Sequence, residues 1–393
     1  KNMFIGFQAG GNTKYIGNYS NNGGYNNTGI GYQSLYTNIT GGSNTAMGAK
    51  ALFSNINGGS NVAIGGLALY SNTSGNTNIA IGSSALYSNT IGLENIAIGD
   101  LTLYKNTEGY TNIAIGREAL ENNTTGSNNL ALGYGASIEN ITGSSNTSIG
   151  YQTNYYNTAG NENVAVGYDA LLYAEEGSWN TAIGTEALAN TSPAAFANTA
   201  LGYGAGRGNN NNYSNSSSTW VGYQSGYNIR TGSKNITLGY KTADSLTTGS
   251  GNIVIGYDID TPAANSDNTL TIGNIIFANG LGNTGATVAT GTVGVGIAAP
   301  TAKLHISRST GGIEKLFQVG TTTTADIFSV NSNGRVGVGT STPWEAMELA
   351  VAGDIVVTGN VYKSATAYAN PDYVFAKYFN NPYNEIIPDD YQM

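Results

Sequence analysis

The sequence predicts an all-β fold: a β-solenoid or β-roll of 17-residue coils, followed by a β-rich region of different design. Three observations predict it. A glycine closing phrases of the form N-x-A-I-G recurs on a fixed ruler. Aliphatic and small residues alternate just before that glycine, and Asn/Gly turn chemistry fills the rest of each period. The phrase TNIAIGREALENNTTGS (111–127) shows all three in one repeat.

The ruler residues are Gly6, Gly31, Gly48, Gly65, Gly82, Gly99, Gly116, Gly133, Gly150, Gly167, Gly184, Gly202, Gly222, Gly239, Gly256 and Gly273. Twelve of the fifteen intervals are 17 residues, and the others are 25, 18 and 20. The extra residues fall after Gly6, around SPAAFA (192–197) and in GRGNNNNYSNSSS (206–218). A period held this long marks a stack in which each repeat is one unit sheltered by its neighbours.

Within NIAIGSSALYSNTIGLE (78–94), Ile79 and Ile81 alternate with Ala80, the period-two pattern of a strand with one buried face. The aliphatics are expected inside, with the column Ala63, Ala80, Ala97, Ala114 and Ala131 on the opposite face. Gly82 permits a bend, and ALY (85–87) predicts a second short strand. SNTIG (88–92) then supplies a turn, Asn bonding its own backbone and Gly accepting positive φ. Segments such as GREALEN (116–122) are too short for an independent helix. Stacking places like on like. Leu35, Leu52, Leu69, Leu86, Leu103 and Leu120 form an internal column, with Tyr36, Phe53, Tyr70, Tyr87 and Tyr104 as an aromatic column beside it. Asn38, Asn55, Asn72, Asn89, Asn106, Asn123, Asn140 and Asn157 form an amide ladder at the turns.

Composition restricts function. Gly numbers 56 and charged residues are only 10%, yet 40% of residues are apolar and sit at fixed places, so the chain is repetitive rather than disordered. The net charge of −9 is spread thinly with no basic stripe, which argues against phosphate-driven binding of nucleic acid. With no cysteine, disulfides and thiolate metal sites are excluded. No apolar run is long enough to span a bilayer as a helix, so no membrane insertion is expected in this segment. The sequence opens at Lys1 in mid-pattern, and an N-terminal anchor is expected, if present, outside it.

One coil carries few large apolar residues against the entropy of ordering seventeen residues, so further burial against another chain is expected. The Ala column, small enough for close backbone approach, is the expected contact. NTAMG, NVAIG and NIAIG, recurring with Gly and Asn turns, resemble the head repeats of trimeric autotransporter adhesins. They are also similar to GNTAIGxxALxxNTxG arrays of phage tail fibres and bacterial surface proteins. The resemblance covers residues 1 to about 275. It implies a β-roll with three chains side by side, hence a homotrimer, although the period here exceeds that of the autotransporters.

Residues 1–275 therefore form the repeat solenoid and 276–292 a transition. A shaft region, 293–362, carries VGVGIAAPTAKLHI (293–306) and VGVGTSTPWEAMEL (336–349). Between them, KLFQVGTTTTADIFSVNSNG (315–334) is strand-like with an Asn-Gly turn signal. This segment resembles the trimeric shaft preceding the intramolecular chaperone of endosialidase-type tail fibres. That chaperone would cleave itself through a Ser–Lys pair, and no copy of its motif is visible. The aromatic tail 363–393, with a short helix expected at 372–379, reads as a cap, a docking peptide or the start of a further domain.

No catalytic, cofactor or metal residue is expected. His305 has no Ser or Cys partner at triad spacing. Glu175–Glu176 and Asp389–Asp390 read as solvated charges, and Asp258, Asp260 and Asp267 match no calcium loop. GYGAGRG (202–208) lacks the strand-to-helix context of a phosphate loop. The N-x-S/T sequons follow from the abundance of Asn and Thr. The candidate ligand surface is aromatic: Tyr203, Tyr213, Trp220, Tyr223 and Tyr240, offering rings and amides to sugars. The expected function is that of a structural subunit of an extracellular homotrimeric fibre, a phage tail fibre or a cell-surface adhesin or filament. Its partners are copies of itself and a cell-surface glycan or protein receptor. The alternatives are a carbohydrate-active solenoid of tailspike type, which needs carboxylates clustered on one face of adjacent coils that the spacing does not show, and an ice-binding solenoid, which needs a flat Thr array where Thr73, Thr90, Thr107 and Thr124 lie in a turn.

Overall fold

The computed structural model describes residues 1–12, 24–191, 193–208, 216–281, 291–307, 315–320, 326–331, 336–339 and 349–351. The chain divides into two compact units, Lys1–His305 and Ile306–Met393. All described regular structure is β. In the first unit, one strand per coil, from β1 (Met3–Ile5) through β5 (Ile79–Ile81) and β6 (Ile96–Ile98) to β16 (Thr269–Ile272), stacks parallel on the next. The register places equivalent residues side by side, Ile79 on Ile96 and Ala80 on Ala97. The insertion before Thr219 is absorbed without a slip, since Thr199 still pairs with Thr219. The array is therefore a parallel β-solenoid.

Its interior reverses the expected faces. Each strand has only three residues through β15, so one residue points inward, and in nine of the fifteen it is an alanine. Ala63, Ala80, Ala97, Ala114 and Ala131 are completely buried, whereas Ile64 and Ile113 on the flanks of that column are 36% and 38% exposed. The Ala column thus cannot meet another chain. The reason is the width of the coil: the leucine column, Leu35 to Leu120 and again Leu171 and Leu188, enters the core from elsewhere in the coil and is fully buried.

Trp220 demonstrates the volume rule. It occupies the alanine position and is fully buried. The leucine positions of its own coil and the preceding one are Gly226 and Gly206. A Cβ on Gly206 would stand 2.5 Å from the indole. A large residue on one wall requires a void on the other, as close packing demands.

The second expected strand is also corrected. The ALY stretch pairs coil to coil through its backbone, Leu86 N–H donating to Thr102 O at 3.0 Å and Ser88 N–H to Tyr104 O at 3.0 Å. Its dihedral angles are not those of a strand, because Ser84 and Leu86 have φ of 54° and 51°. A left-handed leucine costs about 1–2 kcal/mol, which complete burial, worth about 1.5–3 kcal/mol, offsets. The expected aromatic column does form, with Tyr36, Phe53, Tyr70, Tyr87 and Tyr104 stacked at centroid spacings of 5.1–5.2 Å.

Two asparagine ladders, not one, close the coils. Asn89 donates to Asn72 Oδ1 at 2.8 Å and to Gly92 O at 3.0 Å, and accepts from Asn106 Nδ2 at 2.9 Å. Asn78, immediately before the strand, reaches across the coil to the same Gly92 carbonyl at 2.9 Å, and its Oδ1 receives the backbone N–H of Asn95 at 3.0 Å. One glycine carbonyl therefore binds both buried amides. Glycine is required there, because a Cβ on Gly92 would meet Asn89 Oδ1 and the Gly109 carbonyl oxygen, the latter at 2.5 Å.

The stack ends in a reversal. β17 (Ile276–Asn279) pairs antiparallel with β16, and β18 (Thr292–Val295) antiparallel with β17. β19 (Leu304–Ile306) follows. The second unit contains β20 (Lys315–Gly320), β21 (Asp326–Asn331), β22 (Val336–Val338) and β23 (Leu349–Val351). The first two pairings are antiparallel and the last is parallel. Tyr213, the tail 363–393 and the helix expected at 372–379 lie outside the described residues.

Replacing Asn89 with Ala should destabilise the solenoid by about 1–3 kcal/mol for each buried group left without its partner. Gly92→Ala should be worse. Chemical denaturation monitored by circular dichroism measures both, and an unchanged midpoint for Asn89→Ala would contradict the ladder.

Candidate functional site

The residue after each ruler glycine leaves the bend pointing outward, and this column carries the tyrosines. Tyr134, Tyr151 and Tyr168 stack at 5.4 and 5.3 Å, and Tyr203, Tyr223, Tyr240 and Tyr257 at 5.2, 5.2 and 4.9 Å, all within 14° of parallel. Thr185 separates the two runs. The rings are 38–73% exposed.

Three of the expected surface residues, Tyr203, Tyr223 and Tyr240, therefore lie together. Trp220 does not join them, since its indole fills the core and its Nε1 has no hydrogen-bond partner. The sequence put Trp220 two residues before a ruler glycine, the inward place, and Gly206 and Gly226 were the available sign. Stacking also limits what the tyrosines offer. A ring inside the run has both faces covered by neighbours, so its edge and hydroxyl meet solvent, while a sugar stacking on an aromatic needs an open face.

Beside the tyrosines runs a polar column that sequence reasoning did not single out, including Glu118, Gln152, Asp169, Glu186, Gln224 and Lys241. Arg117 lies over Tyr134 at 6.0 Å and Lys241 over Tyr240 at 5.7 Å. Arg207 pairs with Glu186 at 3.3 Å, sits 5.4 Å from the Tyr227 ring and donates to its hydroxyl. Burial, and then neighbouring Glu186, hold the Asp169 carboxyl above its ordinary value, with Arg207 opposing. The phenols respond in turn. Tyr203 is raised chiefly by Glu186, Tyr168 chiefly by Asp169, and Tyr134 chiefly by its hydrogen bond with Glu118.

Asp169 and Glu186 stand at the same place in consecutive coils, the arrangement that the carbohydrate-cleaving alternative requires. They are absent from the lining of the shallow depression of about 560 Å³ formed by Asn12, Thr37, Ile39, Ser54, Ile56 and Thr73. Some of the other tempting residues have structural partners, and Asp389–Asp390 lie outside the described residues. Asp260 and Asp267 accept the backbone N–H groups of Ser245 and Ser250 at 3.0 and 2.6 Å. His305 Nδ1 accepts the Thr301 N–H at 3.2 Å. Among the described residues, no group of three or more His, Asp or Glu is placed to hold a metal ion.

The fold and surface define a single-strand-per-coil parallel β-solenoid with an external tyrosine ladder. Compared with known protein families, characterised proteins and solved structures, the chain matches none.

The raised carboxyls set a pH dependence. Asp169, Asp244 and Glu121 are all raised, in each case chiefly by burial. A raised folded-state pKa means that the folded state holds the proton more readily. This contribution is fully present below the unfolded value and is lost as pH rises through the folded one. The solenoid should therefore gain stability as pH falls from 7 toward the carboxylate range near 4. Asp169→Asn should reduce that gain relative to the parent chain. Denaturation midpoints across this window test it, and identical profiles for the two chains would contradict it.

Proposed function

We propose that the chain is a structural subunit of an extracellular homotrimeric fibre, a phage tail fibre or a cell-surface adhesin or filament, that mediates attachment to a surface. The observation carrying this reading is the outward face of the parallel sheet. Its two columns contain only Ile, Val, Leu, Met and Thr from β1 to β15. At the ~4.8 Å spacing of paired strands, this stripe runs roughly 65–70 Å. Contiguous apolar surface on that scale marks an interaction site. A partner that covers every row must repeat at the same pitch, and another copy of the chain does so by construction. Association through the isoleucine columns replaces the alanine contact expected from the sequence, with the resemblance to trimeric heads supplying the number three.

The tyrosine ladder and its polar neighbours are the proposed attachment surface, toward a glycan or protein receptor. The carbohydrate-cleaving alternative has the Asp169–Glu186 pair in its favour.

Sedimentation of the full chain should give a trimer, and Ile81→Asp combined with Ile98→Asp should yield monomers that keep the solenoid circular dichroism. A folded monomer of the parent chain would overturn the assembly. Tyr203→Ala with Tyr223→Ala should leave assembly intact and reduce binding to target cells. Unchanged binding would remove the ladder from the attachment role.

A further inference from the structure

The two asparagine ladders coincide with a sequence signal of another kind. Asn38, Asn72, Asn123, Asn140, Asn146 and Asn235 each begin an N-x-S/T sequon, with no proline between. Such a sequon is the acceptor of asparagine-linked glycosylation. All six side chains are at most 2% exposed.

Their amide nitrogens are committed. Asn72 Nδ2 donates to Asn55 Oδ1 at 2.8 Å and Gly75 O at 3.0 Å, and Asn123 Nδ2 to Asn106 Oδ1 at 2.8 Å and Gly126 O at 2.9 Å. Asn140 and Asn146 likewise each donate to the preceding ladder asparagine and to a glycine carbonyl. Asn38 donates to Gly41 O at 3.0 Å and Asn235 to Gly249 O at 2.9 Å. In glycosyl transfer, the amide nitrogen displaces a lipid pyrophosphate from the anomeric carbon of an oligosaccharide. An N–C bond forms, a C–O bond breaks and one amide proton leaves. The modified nitrogen keeps one hydrogen where four of these rungs use two, and at all six it carries a sugar where no solvent space exists. A buried acceptor left without its donor is costly, and the volume of a sugar in a close-packed core is prohibitive.

We infer that folding of this chain and N-glycosylation at its six ladder sequons are mutually exclusive, so that the chain is made and folded out of reach of an oligosaccharyl transferase. The conclusion rests on the ladders alone, independent of the proposed fibre role. It makes the six sequons silent sites in the folded chain and argues against a biosynthetic route through a glycosylating secretory compartment. Asn26 provides an internal contrast: it too begins a sequon (Asn26-Asn27-Thr28), but its side chain is exposed, so a glycan there leaves the ladders intact.

The test directs the full chain, behind an added signal peptide, into the endoplasmic reticulum of a eukaryotic cell. Peptide mass spectrometry reads sequon occupancy, and resistance to protease reads folding. The expected result is occupancy at ladder asparagines with loss of resistance. Resistance should return when lipid-linked oligosaccharide synthesis is inhibited. It should also return in a chain bearing Thr40→Ala, Ser74→Ala, Thr125→Ala, Thr142→Ala, Ser148→Ala and Thr237→Ala, which removes the six acceptor signals but keeps every asparagine. Two of these changes restore the alanine common at the inward strand position, and the same variant produced in bacteria establishes that it folds. A resistant chain with glycans on ladder asparagines would overturn the inference. So would a resistant parent chain with the six sequons unoccupied in the uninhibited cell, since folding would then have outrun the transferase.

Discussion

The structure depends on one repeated contact: a glycine carbonyl that accepts two buried asparagine amides. Gly92 is bound by Asn78 from across the coil and by Asn89 from three residues away. The first bond closes the coil and the second fixes its corner, while each asparagine also bonds its neighbour in the stack. Buried amides with both ends satisfied specify geometry, and partly satisfied ones would penalise it. This explains why the period is so rigid. Where one coil is a residue longer, the Ala195 carbonyl takes the glycine's place and accepts from Asn180 at 2.9 Å.

Closing the coil this tightly determines what lies inside. The cross-section accepts one alanine against one leucine, and trades them for tryptophan against glycine where Trp220 intrudes. The larger aliphatics are displaced to the outer face of the sheet, where they form a long stripe without charge. The same packing constraint thus produces a narrow, self-contained core and an apolar exterior suited to association. Variation is tolerated in the core where polarity is matched: Ser137 and Ser148, replacing leucine and alanine, bond each other at 2.7 Å.

Much of this was legible in the sequence. The ruler glycines, the leucine column, the aromatic column and the amide ladder at the turns all follow from spacing, because stacking converts sequence identity at a fixed interval into contact. The side of the sheet did not follow. An I-A-I strand reads as aliphatic-in by pattern, and only the width of the coil decides otherwise. The left-handed backbone at Leu86 was equally hidden, since leucine gives no sign of positive φ. The second asparagine ladder lay within the N-x-A-I-G phrase itself, where nothing in the spacing separates a buried amide from an exposed one. For the surface, the tyrosine column is visible in the sequence, where Tyr134, Tyr151, Tyr168, Tyr203, Tyr223, Tyr240 and Tyr257 each follow a ruler glycine. The stacking that covers its faces, and the inward turn of Trp220, required the coil geometry.

Side-chain amide hydrogen exchange tests the central claim most directly. In a chain labelled with nitrogen-15 at asparagine, the Nδ2 protons of both ladder sets should exchange slowly and together, because they are released only when coils open. Those of exposed Asn57 should exchange at the rate of free amides. Uniformly fast exchange at all asparagines would show that no buried clamp exists and would contradict the account.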